Sequence, residues 1–226
     1  MFYAIKDNIK IRPNPNIKDA VCPLCNEQVI PKCGEIKIWH WSHKANADCD
    51  SFGEPESEWH LNWKNNFNKE CQEVIIKKCV SEYCYDKKYN HNHTTDDHGD
   101  CTDCIFIKHR ADIKLDNGLI IELQNSHLSS DKIKEREEFY GNMIWILNGQ
   151  TICSSLGLKK EKGNGIRTFR WKHPPKSWWV ANKPIIVDWD KENVFIIKKI
   201  YQNIPCGGWG IMKQKKEFIG DLNGKD

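Results

Sequence analysis

The stretch ADIKLDNGLIIELQ, residues 111–124, constrains this chain more than any other, because its alternation suits a β-hairpin with one apolar and one polar face. Ala111, Ile113 and Leu115 fall on one side, and Arg110, Asp112 and Lys114 on the other. After the DNG turn, Leu119, Ile121 and Leu123 form a second apolar row, with Ile120, Glu122 and Gln124 opposite. A two-residue Asn117-Gly118 turn would pair Asp112 with Leu123 and drive a carboxylate onto the leucine face. A three-residue loop, Asp116-Asn117-Gly118 with Gly118 at positive φ, pairs Asp112 with Glu122 and Arg110 with Gln124, and both faces agree. The pattern therefore predicts the longer loop, with both carboxylates turned towards the preceding helix. Opposed side chains on paired strands lie about 5 Å apart, where two ionised carboxylates repel by about 3–4 kcal/mol at an effective dielectric near 20. A divalent cation with a taste for hard oxygen, Mg²⁺ or Mn²⁺, removes that cost. The competing reading of the same pattern is a solvated acidic face.

Upstream, Trp59, Trp63 and Phe67 recur every four residues and predict a helix from Pro55 to about Cys71, with Pro55 in its first turn. Glu56, His60 and Lys64 form a parallel polar row able to bind metal, water or phosphate, or to act as an ordinary salt-bridged surface; Glu58 competes for the acidic role. EVIIKK follows as a strand, then the hairpin. SSDKIKEREEFYG reads as a second helix capped by Ser129 or Ser130 and ended by Gly141, and MIWIL as a buried strand. Helix, three strands, helix, strand is an α/β order: a mixed sheet flanked by helices. Residues 2–11 offer one short strand, and residues 150–226 a Gly/Lys loop, a Trp-rich basic stretch and the strand-like PIIVDW and NVFIIKKI. The organisation expected is an N-terminal strand and finger over 1–50, a core over 51–150 and a C-terminal extension over 151–226.

Most of the eleven cysteines precede residue 105, in short pairs with histidines between them, which favours metal over disulfides. Cys22 and Cys25 make a CxxC knuckle followed by HWSH, so Cys22, Cys25 and His43 are three zinc ligands, with His40 or Cys49 as the fourth. Cys79, Cys84, Cys101 and Cys104 form a second set, which would pin the base of a polar insertion, 79–104, too hydrophilic to build a core. His91, His93 and His98 read as loop residues, and Cys71, Cys153 and Cys206 as unligated thiols. A net charge of +3 permits a nucleic-acid partner without requiring one. No apolar run reaches membrane-spanning length and the first residues lack a signal-like core, so the expectation is a cytoplasmic protein with no membrane association. Trp171, Trp178 and Trp179 read as packing residues, although Lys172, His173 and Lys176 beside them suit DNA contact.

In order along the chain, YAIKDNIKI, the CPLC and HWSH finger, ESEWHLNWK, RADI, IELQNS, REEFY and WKHPPKSW resemble the competence protein CoiA-like family, whose nuclease core belongs to the PD-(D/E)XK superfamily. The resemblance implies a PD-(D/E)XK nuclease-like sheet and a Mg²⁺- or Mn²⁺-dependent deoxyribonuclease acting in DNA processing or recombination. DNA would be its partner, alongside other DNA-processing proteins. It further implies that Asp112 and Glu122 bind the catalytic metal, that Gln124 occupies the usual lysine position, and that Glu56 and His60 contribute from the first helix. Lys64, Arg110, Arg136 and Tyr140 would support the site or contact DNA. Gln124 departs from the superfamily pattern, since an amide carries no charge and accepts no proton. That departure favours the rival reading, a non-catalytic zinc-stabilised module that binds DNA or protein.

Overall fold

The computed structural model describes residues 1–44, 49–80, 105–202 and 206–224. The chain divides into two compact units, Met1–Glu56 with Glu73–Ala111, and Ser57–Gln72 with Asp112–Asp226.

The first unit opens with β1 (Ala4–Lys6) and β2 (Ile9–Ile11), an antiparallel pair, where the sequence suggested one continuous strand. The break lies at Asp7 and Asn8, whose φ values of 51° and 60° supply the left-handed pair that a tight hairpin turn needs. A second hairpin joins β3 (Val29–Lys32) to β4 (His40–His43), with Val29 opposite His43 and Lys32 opposite His40. Strand β5 (Gln72–Cys79) neighbours β6 (Phe106–Lys114), whose first six residues belong to this unit. Ala4, Ala20, Cys22, Val29 and Trp41 are buried together, with Ile75 against them. This small core is closed by polar ties. The buried Asp50 accepts the Arg110 N–H at 2.9 Å and lies 2.9 Å from His109 Nδ1, and Phe52 stacks on the His109 ring at 3.5 Å.

The second unit starts with α1 (Glu58–Lys64), shorter than the expected helix. Ser57 is its cap, so Pro55 lies outside it, and a separate 3₁₀ turn spans Lys69–Cys71. Beyond the end of β6 come β7 (Ile120–Gln124), α2 (Ser130–Tyr140) and β8 (Met143–Asn148). They are followed by β9 (Leu156–Leu158), β10 (Ile166–Trp171), β11 (Ile185–Asp188), β12 (Asn193–Tyr201), β13 (Gly207–Gln214) and α3 (Lys215–Leu222). These strands lie in the order β6-β7-β8-β11-β12-β13-β10-β9. The pairs β7/β8 and β8/β11 are parallel, and β6/β7 and the strands beyond β11 antiparallel, which makes the sheet mixed as expected. Residues 151–224 thus extend the sheet that the hairpin begins.

The hairpin turns through Asp116-Asn117-Gly118. Gly118 has φ 81°, its N–H donates to Leu115 O at 2.9 Å, and Leu115 N–H donates to Leu119 O at 2.9 Å. Ile113 faces Ile121 and Lys114 faces Ile120, the register that places Asp112 opposite Glu122. The apolar rows of the hairpin do what their pattern asks: Ile113, Leu115, Ile121 and Leu123 are buried with Trp63 of α1, with Phe67 just after that helix, and with Ile144, Ile146 and Ile186 from the central strands. Helix α2 is capped by Ser129, whose Oγ accepts the Lys132 N–H, and stops at Gly141, φ 68°. No helix among the described residues is long and apolar enough to cross a membrane.

Candidate functional site

Side chains interrupt the β6/β7 ladder where Asp112 meets Glu122. The Asp112 N–H donates to Glu122 Oε1 at 3.2 Å, and the Leu123 N–H donates to Asp112 Oδ2 at 3.0 Å. Two carboxylates therefore take backbone donors that a continuing ladder would give to carbonyls, and they are held beside each other by both strands. Their remaining oxygens meet cations from two different helices. Lys64 of α1 brings its ammonium to 2.9 Å from Asp112 Oδ1, and Arg136 of α2 brings Nη1 to 3.1 Å from Glu122 Oε2. The carboxylates are thus engaged from α1 and α2 respectively, whereas the pattern had predicted both turned towards the first helix.

Burial raises the cost of charging Asp112, but the Lys64 charge, the His60 charge, the Lys64 hydrogen bond and the Leu123 N–H outweigh it and hold the carboxyl below its usual range. His60 is buried on α1 with Nδ1 2.8 Å from Ser57 Oγ, so the helix cap also orients the imidazole. Gln124, two residues beyond Glu122, is also buried; its Nε2 donates to Ser126 O at 3.1 Å, and its Oε1 accepts from Arg136 Nη1 at 3.5 Å. Arg136 thereby joins the second carboxylate to the amide. The donor set suits a hard cation: four carboxylate oxygens on two adjacent strands, each with lone-pair capacity beyond its present partner. Asp112 is the more open face, its side chain 20 % exposed against 3 % for Glu122.

The other residues singled out in the sequence have the following surroundings. Glu56 belongs to the first unit, where its carboxylate is 3.9 Å from the N-terminal ammonium. Arg110 also belongs there, its guanidinium 3.6 Å from Met1 Sδ. Glu58 is exposed in the first turn of α1. Tyr140 is buried at the end of α2 with its ring edge-on to Phe139, at 5.1 Å between centroids. Asp188, at the end of β11, was not singled out at all, yet it accepts the indole N–H groups of Trp59 and Trp63 at 2.7 and 2.8 Å. Nothing in PIIVDW distinguishes that acid from a surface residue, because its partners come from more than a hundred residues upstream.

The first unit holds a separate cluster. Ligand atoms of Cys22, Cys25, His43 and Cys49 all lie within 4.8 Å of one another. Cys22 Sγ and Cys49 Sγ are 3.7 Å apart, and Cys25 Sγ is 3.3 Å from His43 Nε2. Tetrahedral zinc with Zn–S near 2.3 Å requires about 3.8 Å between sulfurs, so the spacing fits. Burial, and then the neighbouring Cys22 and Cys25, push the Cys49 thiol up. The fourth member of the cluster is Cys49, and His40, the other candidate, is corrected out of the set. Residues 40 and 43 are an odd number apart on β4 and so face opposite sides of it, and His40 Nδ1 instead lies 2.8 Å from Ile38 O. Of the second expected set, Cys79 ends β5, while Cys84, Cys101 and Cys104, like His91, His93 and His98, lie outside the described residues.

No curated protein and no solved structure matches the chain. A match to a family model does exist, and it spans all four residues of the Cys/His cluster: residues 11–52 match the N-terminal domain of competence protein CoiA, which supports the CoiA-like family for this chain.

Proposed function

We propose that the protein is a Mg²⁺-dependent deoxyribonuclease of the PD-(D/E)XK kind, hydrolysing DNA phosphodiester bonds in a competence-related or recombination pathway, with zinc stabilising its N-terminal finger. The observation that carries this reading is the side-by-side placement of Asp112 and Glu122 on β6 and β7, with Gln124 two residues on and Lys64 reaching Asp112 from α1. The helix, three strands, helix, strand order around that hairpin supports it. Asp112 and Glu122 would hold the Mg²⁺, which supplies Lewis-acid stabilisation of charge developing on the phosphate. Lys64 brings to the site the positive charge that Gln124 lacks, its buried ammonium holding the Asp112 carboxylate ionised. Gln124 is fixed by Arg136 and Ser126, so its part is to set the position of its neighbours, with Arg136 orienting Glu122.

A second reading has an observation of its own. Both carboxylates already have cationic partners, and a site balanced in this way also serves a module that binds DNA or protein without cutting. Purified protein incubated with single-stranded, linear duplex and branched DNA, with and without Mg²⁺ or Mn²⁺, separates the two. Metal-dependent cleavage that disappears in Asp112→Asn is expected. Equal cleavage by wild type and Asp112→Asn removes the activity from this site, and DNA binding without cleavage under any metal favours the binding module.

A further inference from the structure

Three parallel strands end level with one another in the second unit. Gln124 at the end of β7 is in register with Leu147, and Asn148, the last residue of β8, with Asp188, the last of β11. Asn125, just past Gln124, accepts the Asn148 Nδ2–H at 2.7 Å, which ties the first two ends together. Neighbouring strands lie about 4.8 Å apart, so Asp188 lies about 10 Å along this edge from Gln124. The carboxyl ends of parallel strands are where open α/β sheets characteristically leave room for ligands.

A cavity of about 320 Å³ occupies this edge beside Asp188. Its floor is made of groups already paired with one another. Asp188 takes hydrogen bonds from the Trp59 and Trp63 indoles and an ion pair from Lys215, whose ammonium also sits 5.4 Å from the Trp63 ring centre. Its rim is different. Asn62, Gln150 and Lys191 are exposed, and their side chains make no hydrogen bond or ion pair with another described residue. Trp59 and Trp189, both partly buried, add aromatic surface to the lining.

We infer that this cavity takes an unpaired nucleobase of a single-stranded nucleic acid, stacked on tryptophan and read at its edge by the Asn62 and Gln150 amides, with Lys191 meeting the adjoining phosphate. A primary amide presents a donor and an acceptor side by side, the pattern that base edges complement, and every base has a face to stack. The floor carboxylate is matched by Lys215, and the second lining carboxylate, the exposed Asp190, accepts the Glu192 and Asn193 N–H groups and stands beside Lys191, so the phosphate is met on the lysine side of the rim. Helix α1 serves both places at once: Lys64 contacts Asp112, while Asn62 and Trp59 line the cavity. The assignment rests on reading the Asp112–Glu122 site as one for DNA, and it deepens that reading by making the substrate strand unpaired beside the scissile phosphate.

The test is binding, measured without added Mg²⁺ so that cleavage plays no part. Fluorescence anisotropy of the full-length protein compares a short labelled single-stranded oligonucleotide with its abasic counterpart. Wild type should bind the base-bearing strand about tenfold more tightly, the effect of about one stacked base. Trp189→Ala should lose most of that preference while still binding the abasic strand, and Asn62→Ala/Gln150→Ala should lose discrimination between one base and another. Equal affinity of wild type for both strands, a preference untouched by Trp189→Ala and by the double amide variant alike, no oligonucleotide binding, or competition by a neutral oligosaccharide but not by deoxynucleoside monophosphates would each overturn the inference. Cleavage without base preference defeats the cavity alone, and base preference without cleavage defeats only the nuclease reading.

Discussion

Glu122 and Arg136 form a buried ion pair, Nη1 3.1 Å from Oε2, with their side chains 3 % and 4 % exposed. Breaking such a pair from one side leaves an uncompensated charge in the interior and costs about 3–5 kcal/mol. Glu122→Gln is therefore expected to lower the urea midpoint markedly, in addition to abolishing metal-dependent cleavage. Replacing both partners, as in Glu122→Leu with Arg136→Met, should recover most of the stability and none of the activity. Unfolding curves and cleavage assays on the two variants check this; a double variant as unstable as the single would show that the ion pair is not the source of the loss.

The metal cluster gives a test that separates two histidines three residues apart. His43→Ala and Cys49→Ser should each remove one zinc ion per chain, whereas His40→Ala should remove none. Elemental analysis of wild type is expected to find two zinc ions per chain, the second bound through the Cys79, Cys84, Cys101 and Cys104 set proposed from spacing. Structural zinc is worth on the order of 10 kcal/mol to a small finger, so chelation should unfold residues 1–50 before the sheet of the second unit. Limited proteolysis during chelation follows that order of events.

Gly118 holds the hairpin register through a left-handed turn, φ 81°, with open space where a side chain would begin. A substitution there meets backbone strain and no clash. Gly118→Val should cost about 1–2 kcal/mol, read as a lower denaturation midpoint. Gly118→Asn, which tolerates the left-handed region, should recover much of that loss. If Val and Asn were equally benign, the turn would not be what sets the register.

The hairpin shows how far local pattern reaches. Alternation along residues 111–124 carries the register because a one-residue slip would move a carboxylate onto the leucine face, and that penalty is written entirely within fourteen neighbouring residues. The α2 boundaries are legible for the same reason: Ser129 and Gly141 act on the turn of backbone beside them. The first helix was overextended because the Trp59, Trp63, Phe67 spacing continues past the point where Asn65 caps it. Three of the four cluster ligands follow from the CxxC knuckle and HWSH, but the choice between His40 and Cys49 depends on which face of β4 turns inward.

Chain order and side-chain alternation determine that this protein has a hairpin with paired acids between two helices and a Cys/His finger before it. Tertiary packing decides what those acids meet. Lys64 and Arg136 come from helices on either side of the hairpin in sequence, and the Trp59 and Trp63 bonds to Asp188 span more than a hundred residues. Alternation records which face of a strand is apolar. It holds no information on which distant cation or indole will be packed against the polar face, because those contacts exist only once the sheet has assembled and burial has made leaving them unpaired costly.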